Sequence, residues 1–342
     1  MTVFSLEFLW YLVIIASLIF YSVLDGFDLG VGCLHLFARK DEERRLILNS
    51  IGPVWDGNEV WLVVIGGALF AGFPNVFATL FSSFYDFVMI LLFGLIFRAV
   101  SIEFRSKHES KRWRKNWDIA FCVASFIIAF GAGLVFGNLI QGIPLDKDQD
   151  FVGTFFGFLG PYPLLFGLTT VALFSMHGSI YLVMKTEGVF HNYVRRWVDR
   201  CILVFIACYI MLTFATFIFA PHMITRMLEN PWLFLVPIAA FITILNIPRE
   251  IKKNRDGWAF ISSCISIAFL LALFAIGTFP VLIRSTIEPQ EYSLVISNSA
   301  SSPLTLKILL IIALIGVPMV LAYGFYIYRL FRGKVKLDDH SY

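Results

Sequence analysis

Two short stretches, Asp25-Gly26-Phe27-Asp28 and Trp55-Asp56-Gly57-Asn58-Glu59-Val60-Trp61-Leu62, put four carboxylates inside segments otherwise apolar enough to cross a bilayer. A charged side chain near the bilayer centre costs about 3 kcal/mol even on lenient insertion scales, so acids kept there pair, face water or relay protons. Asp25 and Asp28 lie one helical turn apart and share a face, as do Asp56 and Glu59. At 1.5 Å per residue from Asn49, Asp56 lies about 10 Å deep and Glu59 about 15 Å deep, so both pairs are expected at one level. A third segment adds Asp86 nearer its middle and Arg98 at its end, the latter a natural counter-ion. Carboxyls gathered in a low dielectric can hold and pass protons, and the pattern reads as a proton-uptake half-channel lined by Trp55, Asn58, Trp61 and small glycines. The competing reading is structural. On it, Asp25 bonds backbone opened at Gly26, Asp28 caps a break at Gly30 and Gly32, Asp56 caps a kink after Pro53, and Glu59 pairs with Arg98.

The elements that must carry these acids are membrane helices. The 342-residue chain is 58% hydrophobic and 15% charged, with a mean hydropathy of +0.80, well above the apolar share of about 45 to 50% in soluble domains. A span needs about 20 mostly apolar residues. Nine segments qualify: 6–36, 49–72, 76–99, 117–139, 157–184, 199–220, 231–248, 257–283 and 304–331. Glu7 and the lack of a basic leader argue that the first is retained rather than cleaved. Of the 27 Lys and Arg, all but Lys147, Arg226, Arg284 and Lys307 fall after odd-numbered spans or at the C-terminal end. The positive-inside rule then sets the N-terminus outside and the C-terminus in the cytoplasm.

Other chemistry is sparse. Cys33, Cys122, Cys201, Cys208 and Cys264 show no CxxC or metal-ligand spacing and read as small apolar side chains. Of the six histidines only His177 lies well inside a span, where hydrogen-bonded packing is the commoner role; His35 is near a helix end, His108, His191 and His222 fall in loops, and His340 in the tail. The chain is expected to ligate no haem or other metal by itself. No phosphate loop or nucleic-acid-binding pattern appears.

The strings Asp25-Gly26-Phe27-Asp28-Leu29-Gly30 and Pro53-Val54-Trp55-Asp56-Gly57-Asn58-Glu59-Val60-Trp61-Leu62, followed by Gly66-Gly67-Ala68-Leu69-Phe70-Ala71, resemble subunit II of the cytochrome bd-type quinol oxidases. Phe97-Arg98, Arg105-Ser106-Lys107, Trp113-Arg114, Trp117-Asp118, Gly137-Asn138-Leu139, Gln141-Gly142 and Pro144 continue the likeness in order. It is dense from residue 20 to 144 and thin beyond, where Gly-Trp-Ala-Phe at 257–260 and the helix count carry it.

The resemblance implies an all-α polytopic protein of nine helices: a four-helix bundle over 1–144 with the acidic motifs, a second over 145–283, and a ninth, peripheral helix with its tail over 284–342. It implies one half of an obligate heterodimer in the bacterial plasma membrane that oxidises quinol and reduces O2 to water with cytoplasmic protons. On that likeness, haem b558, haem b595 and haem d are all ligated by subunit I, and a small third subunit is allowed. Asp25, Asp28, Asp56 and Glu59 become the proton path; Trp55, Asn58, Trp61 and Arg98 become haem-pocket wall or motif support. Glu59 follows the motif's Trp-Asp-Gly-Asn at a variable position, and Pro221 to Pro231 leaves little room for the outer loop some members carry. The alternative from another class is a proton- or ion-coupled secondary transporter, which also uses intramembrane acids; the second half has no counterpart of the two acidic motifs, so the inverted repeat that class favours is missing. A purely structural scaffold is the third reading.

Overall fold

The protein is described by a computed structural model covering residues 5–337; His340 lies outside the described residues. In chain order the helices are α1 (Leu6–Leu34), α2 (Asp41–Ile51), α3 (Trp55–Gly72), α4 (Pro74–Ser83), α5 (Tyr85–Phe104), α6 (Lys111–Gln141), α7 (Pro161–Lys185), α8 (Gly188–Phe219), α9 (His222–Glu229), α10 (Leu235–Lys252), α11 (Asp256–Thr278), α12 (Ile296–Ser299) and α13 (Pro303–Leu330). One small antiparallel hairpin, β1 (Val281–Ile283) with β2 (Leu294–Val295), pairs Val281 with Val295 and Ile283 with Leu294 around a bulge. Among the described residues eight helices are long and apolar enough to cross a bilayer, and the bent pair α2 and α3 makes a ninth if counted as one span.

Local chemistry explains the punctuation. Ser5 caps α1 by accepting from Phe8 N at 3.3 Å. Pro74, Pro161 and Pro303 open α4, α7 and α13, where a missing N–H costs nothing. The expected span 49–72 is broken: α2 ends with Gly52 N donating to Leu48 O, and α3 restarts after Val54 at a bend of 50°. Pro53 in the gap cannot donate to a continuous ladder. The expected span 76–99 is likewise interrupted at Phe84, so Asp86 does not sit mid-span; it is exposed in the first turn of α5. The expected span 257–283 stops at Thr278, and residues 281–283 form β1 instead. Helix α9, in a stretch expected as an outer loop, buries Met223 and Met227 and packs against α11.

Helix α1 is the pivot. It packs against α3, α6, α7, α11 and α13; α5 leans on α6, α8 on α7, and α10 on α11. At the crossing of α1 and α7, a Cβ on Gly30 would overlap the Phe174 carbonyl, and one on Gly178 would crowd the backbone of Gly30 and Val31. Both positions need glycine for the backbones to approach this closely. The acid-bearing end of α1 is thereby seated in the interior, and Phe27, Leu29 and Val31 are fully buried beside it. Helix α13 is the opposite case, with Leu306 its only buried residue.

Candidate functional site: a buried carboxylate cluster

On α3 the buried positions are Asn58, Trp61, Ile65, Ala68 and Gly72, a stripe at helical spacing that faces α1. Asn58 and Glu59 come to α1 from this face, and Arg98 comes from α5. Arg98 is fully buried; its Nη2 donates to Asp25 Oδ1 at 2.8 Å and its Nη1 to Glu59 Oε2 at 3.0 Å. One guanidinium thus binds an acid from each of the two motifs. Asp28 is also fully buried, and its Oδ2 accepts from Asn58 Nδ2 at 2.7 Å. Asn58 donates as well to Leu24 O at 3.3 Å and accepts from the Tyr328 hydroxyl at 2.8 Å. Among the described residues, Asp25 Oδ2 and Asp28 Oδ1 are buried without a hydrogen-bond partner. Buried oxygens left this way are rare and call for a reason.

Three of the four expected acids therefore meet, and Asp56 does not join them. It is exposed on the first turn of α3, because two residues before Asn58 is about 200° round the helix at 100° per residue. Glu59 keeps contact with the outside, its side chain 19% exposed against 0% for Asp25. The glycines expected to line the cluster lie elsewhere too: a Cβ on Gly57, Gly66 or Gly67 would meet nothing within 4 Å. Trp61 is buried, stacked on Phe20 at 4.6 Å and packed with Tyr21 and Ile65. Trp55 is half-buried beside the core formed by Phe27, Ile51 and Val54.

A second ionic cluster sits where α1 ends and α6 begins. Asp118 is buried and takes His35 Nε2 and Arg105 Nε on Oδ1, each at 2.6 Å, and Arg44 Nη1 on Oδ2 at 2.8 Å. Arg105 continues to Asp41 at 2.7 Å, which Arg114 also reaches at 2.9 Å. Four segments are tied together here: the ends of α1 and α5, and the helices α2 and α6. In the sequence, Arg105, Arg114 and Asp118 stand out only through the family resemblance and Arg44 only as a basic residue beyond a span. Tyr328 was missed as well, since a tyrosine near the end of the last apolar run gives no signal of its partner.

Residues 6–331 match the profile of the family described as cytochrome bd terminal oxidase subunit II. Cytochrome bd-I ubiquinol oxidase subunit 2 of Escherichia coli (strain K12) is 33% identical, over 98% of this chain and 96% of that protein. This chain belongs to the cytochrome bd terminal oxidase subunit II family. Cytochrome bd ubiquinol oxidase subunit 2 of Bacillus subtilis (strain 168) is also 33% identical, over 97% of each chain. The fold is shared with a chain of the bd oxidase from Geobacillus thermodenitrificans, at a TM-score of 0.76 and 17% identity over 95% of this chain and 98% of that one. Membership makes the protein a multi-pass membrane subunit of a haem-containing oxidase complex with a subunit I as its counterpart.

The residues of this family member do not fit a haem of their own. His177, the one histidine deep in a span, has both ring nitrogens engaged: Nδ1 with Ser263 Oγ at 2.7 Å and Nε2 with Val23 O at 2.9 Å. Its ring stacks on Phe260 at 4.9 Å. His35 Nε2 is committed to Asp118, and among the described residues no group of three or more His, Cys, Asp and Glu could hold a metal ion. The five cysteines are free and half-buried.

Proposed function

We propose that this chain acts as the second subunit of a membrane quinol oxidase and provides part of the path by which protons reach the site of O2 reduction. The relatives' names supply the quinol, ubiquinol in two of them. The haems, which carry the electron transfer and oxygen chemistry, belong on subunit I in this reading, because the two buried histidines, His35 and His177, are committed elsewhere. The chain is oriented with its C-terminus in the cytoplasm, following the bias of its basic residues. Residues 1–144 and 145–283 form its two four-helix units, and 284–342 its peripheral helix and tail.

The observation that carries the reading is the mismatch between three clustered acids, two of them fully buried, and one cation. Arg98 balances one carboxylate charge; binding two protons makes the group neutral, and Asp25 Oδ2 and Asp28 Oδ1 are free to take them. Asp56, exposed on the first turn of α3, is the outermost acid, and Glu59 lies one turn further along with its side chain partly open. Protonating Glu59 releases its hold on Arg98, which then serves Asp25 alone. The guanidinium therefore couples occupancy of the outer acid to that of the inner one. Trp61 and Asn58 wall the group off along α3, which keeps protons on carboxyls rather than in bulk water.

The test is proton uptake measured with a pH-sensitive dye during a single turnover of the purified heterodimer. Asp25→Asn is expected to leave the haem spectrum intact and to slow O2 reduction about tenfold or more at the proton-uptake phase. Wild-type turnover and uptake in that variant overturn the proposal. A chain that purifies colourless, without a haem-bearing partner, favours the transporter alternative.

A further inference from the structure

Asn58 faces three polar groups, and their chemistry fixes its amide. Asp28 Oδ2 at 2.7 Å and Leu24 O at 3.3 Å are acceptors, so the amide nitrogen must point toward α1. The amide oxygen then points away from α1 and needs a donor. Among the described residues, the group that meets it is the Tyr328 hydroxyl of α13, at 2.8 Å.

This bond is unexpected for its helix. Elsewhere α13 lies on the surface of the bundle, with exposed apolar residues such as Ile311, Leu314, Met319 and Phe325 along its length. Just past Tyr328 the chain is stitched to the last turn of α7. Lys185 Nζ donates to Phe331 O at 2.7 Å, Val335 N to Lys185 O at 2.8 Å, and Lys334 Nζ to Val183 O at 3.1 Å. Ile327 and Tyr328 pack on the core there. These contacts, with the packing of Leu306 and Val317 further up α13, hold the phenol at one height against α3.

We propose that Tyr328 is a positioning residue for the proton path, acting through Asn58 to keep a donor on Asp28 Oδ2 and so confine the exchangeable proton of Asp28 to Oδ1. The inference rests on the proton-path reading given above. An amide does not carry the proton itself; its role is orientation. With phenylalanine at 328, the Asn58 oxygen loses its donor. The amide is then free to turn about its terminal torsion and present oxygen to Asp28, which repels the ionised form and can accept from the protonated one. Both carboxyl oxygens of Asp28 then compete for the proton, and transfer along one side slows.

The experiment uses the assembled heterodimer in nanodiscs, with Tyr328→Phe, Asn58→Ala, the double variant and Asp28→Asn. Tyr328→Phe is nearly isosteric and is expected to lower kcat about threefold, the scale of one neutral hydrogen bond, with the quinol KM and haem spectrum unchanged. Because the tyrosine acts only through Asn58, the double variant should match Asn58→Ala alone. Losses that multiply in the double variant, or a wild-type kcat in Tyr328→Phe while Asp28→Asn is slow, overturn the role of Tyr328 and leave the path standing. Wild-type turnover in Asp28→Asn removes the path and this inference together.

Discussion

One buried ionic cluster sits within α1 and the other just past its C-terminal end, yet they are built on opposite principles. Around Asp118 the bases dominate: both of its oxygens are taken by His35, Arg44 and Arg105, and Asp41 is shared by Arg105 and Arg114. Around Arg98 the acids dominate, three carboxyls to one guanidinium, and two carboxyl oxygens are left without partners. A carboxylate held by two guanidiniums and an imidazole N–H has neither reason nor room to take a proton, so the first cluster is a clamp. The unpartnered atoms it does contain, His35 Nδ1 and Arg105 Nη1, are nitrogens on the basic side. The second cluster is short of positive charge, the condition under which carboxyls exchange protons.

The largest effect is expected from breaking the clamp. Asp118→Ala strands three basic side chains at a junction of four segments and should cost about 3 to 5 kcal/mol, read as loss of haem-bearing heterodimer from the membrane. Arg98→Ala comes next: it leaves Asp25 and Glu59 facing each other, and should lower both the yield of complex and the turnover of what assembles. Arg98→Lys keeps the charge but loses the two-pronged grip, so its yield should recover more than its turnover. Asp25→Asn and Asp28→Asn should spare assembly and strike turnover. The smallest effect belongs to the outer positions, where Asp56→Asn and Trp55→Ala should slow turnover by about threefold or less at unchanged yield. If Asp118→Ala assembles normally, or if Asp25→Asn fails to assemble, the division of labour between the clusters is wrong.

Much of this was legible in the residues. The acids announced themselves because a bilayer penalises them, and Arg98 stood out as a counter-ion for the same reason. Most spans followed from length and hydropathy, whereas the break at Pro53 entered only as a kink in the competing structural reading of Asp56. The misplacement of Asp56 came from judging depth without azimuth: Asn58, Trp61, Ile65 and Ala68 already mark the inward stripe of α3, and Asp56 falls outside it. The Asp118 clamp was beyond reach for a different reason. His35, Arg44, Arg105 and Asp118 lie in separate segments, and each alone reads as an ordinary charge near a span end. Tyr328 is further still, 270 positions from Asn58, and the packing of α13 on α1 and α3 with the stitch between the tail and α7 brings the two together. Helix α9 and the β1–β2 hairpin are short elements held by packing on neighbours, which local pattern does not encode.

The comparison is tested most directly by infrared difference spectra of the assembled oxidase between its oxidised and reduced states, in the region of the protonated carboxyl C=O stretch. The account predicts a carboxyl band in the wild type that Asp28→Asn or Asp25→Asn removes or shifts and that Asp118→Asn leaves in place. A band insensitive to Asp25 and Asp28, or one that vanishes with Asp118, would contradict it.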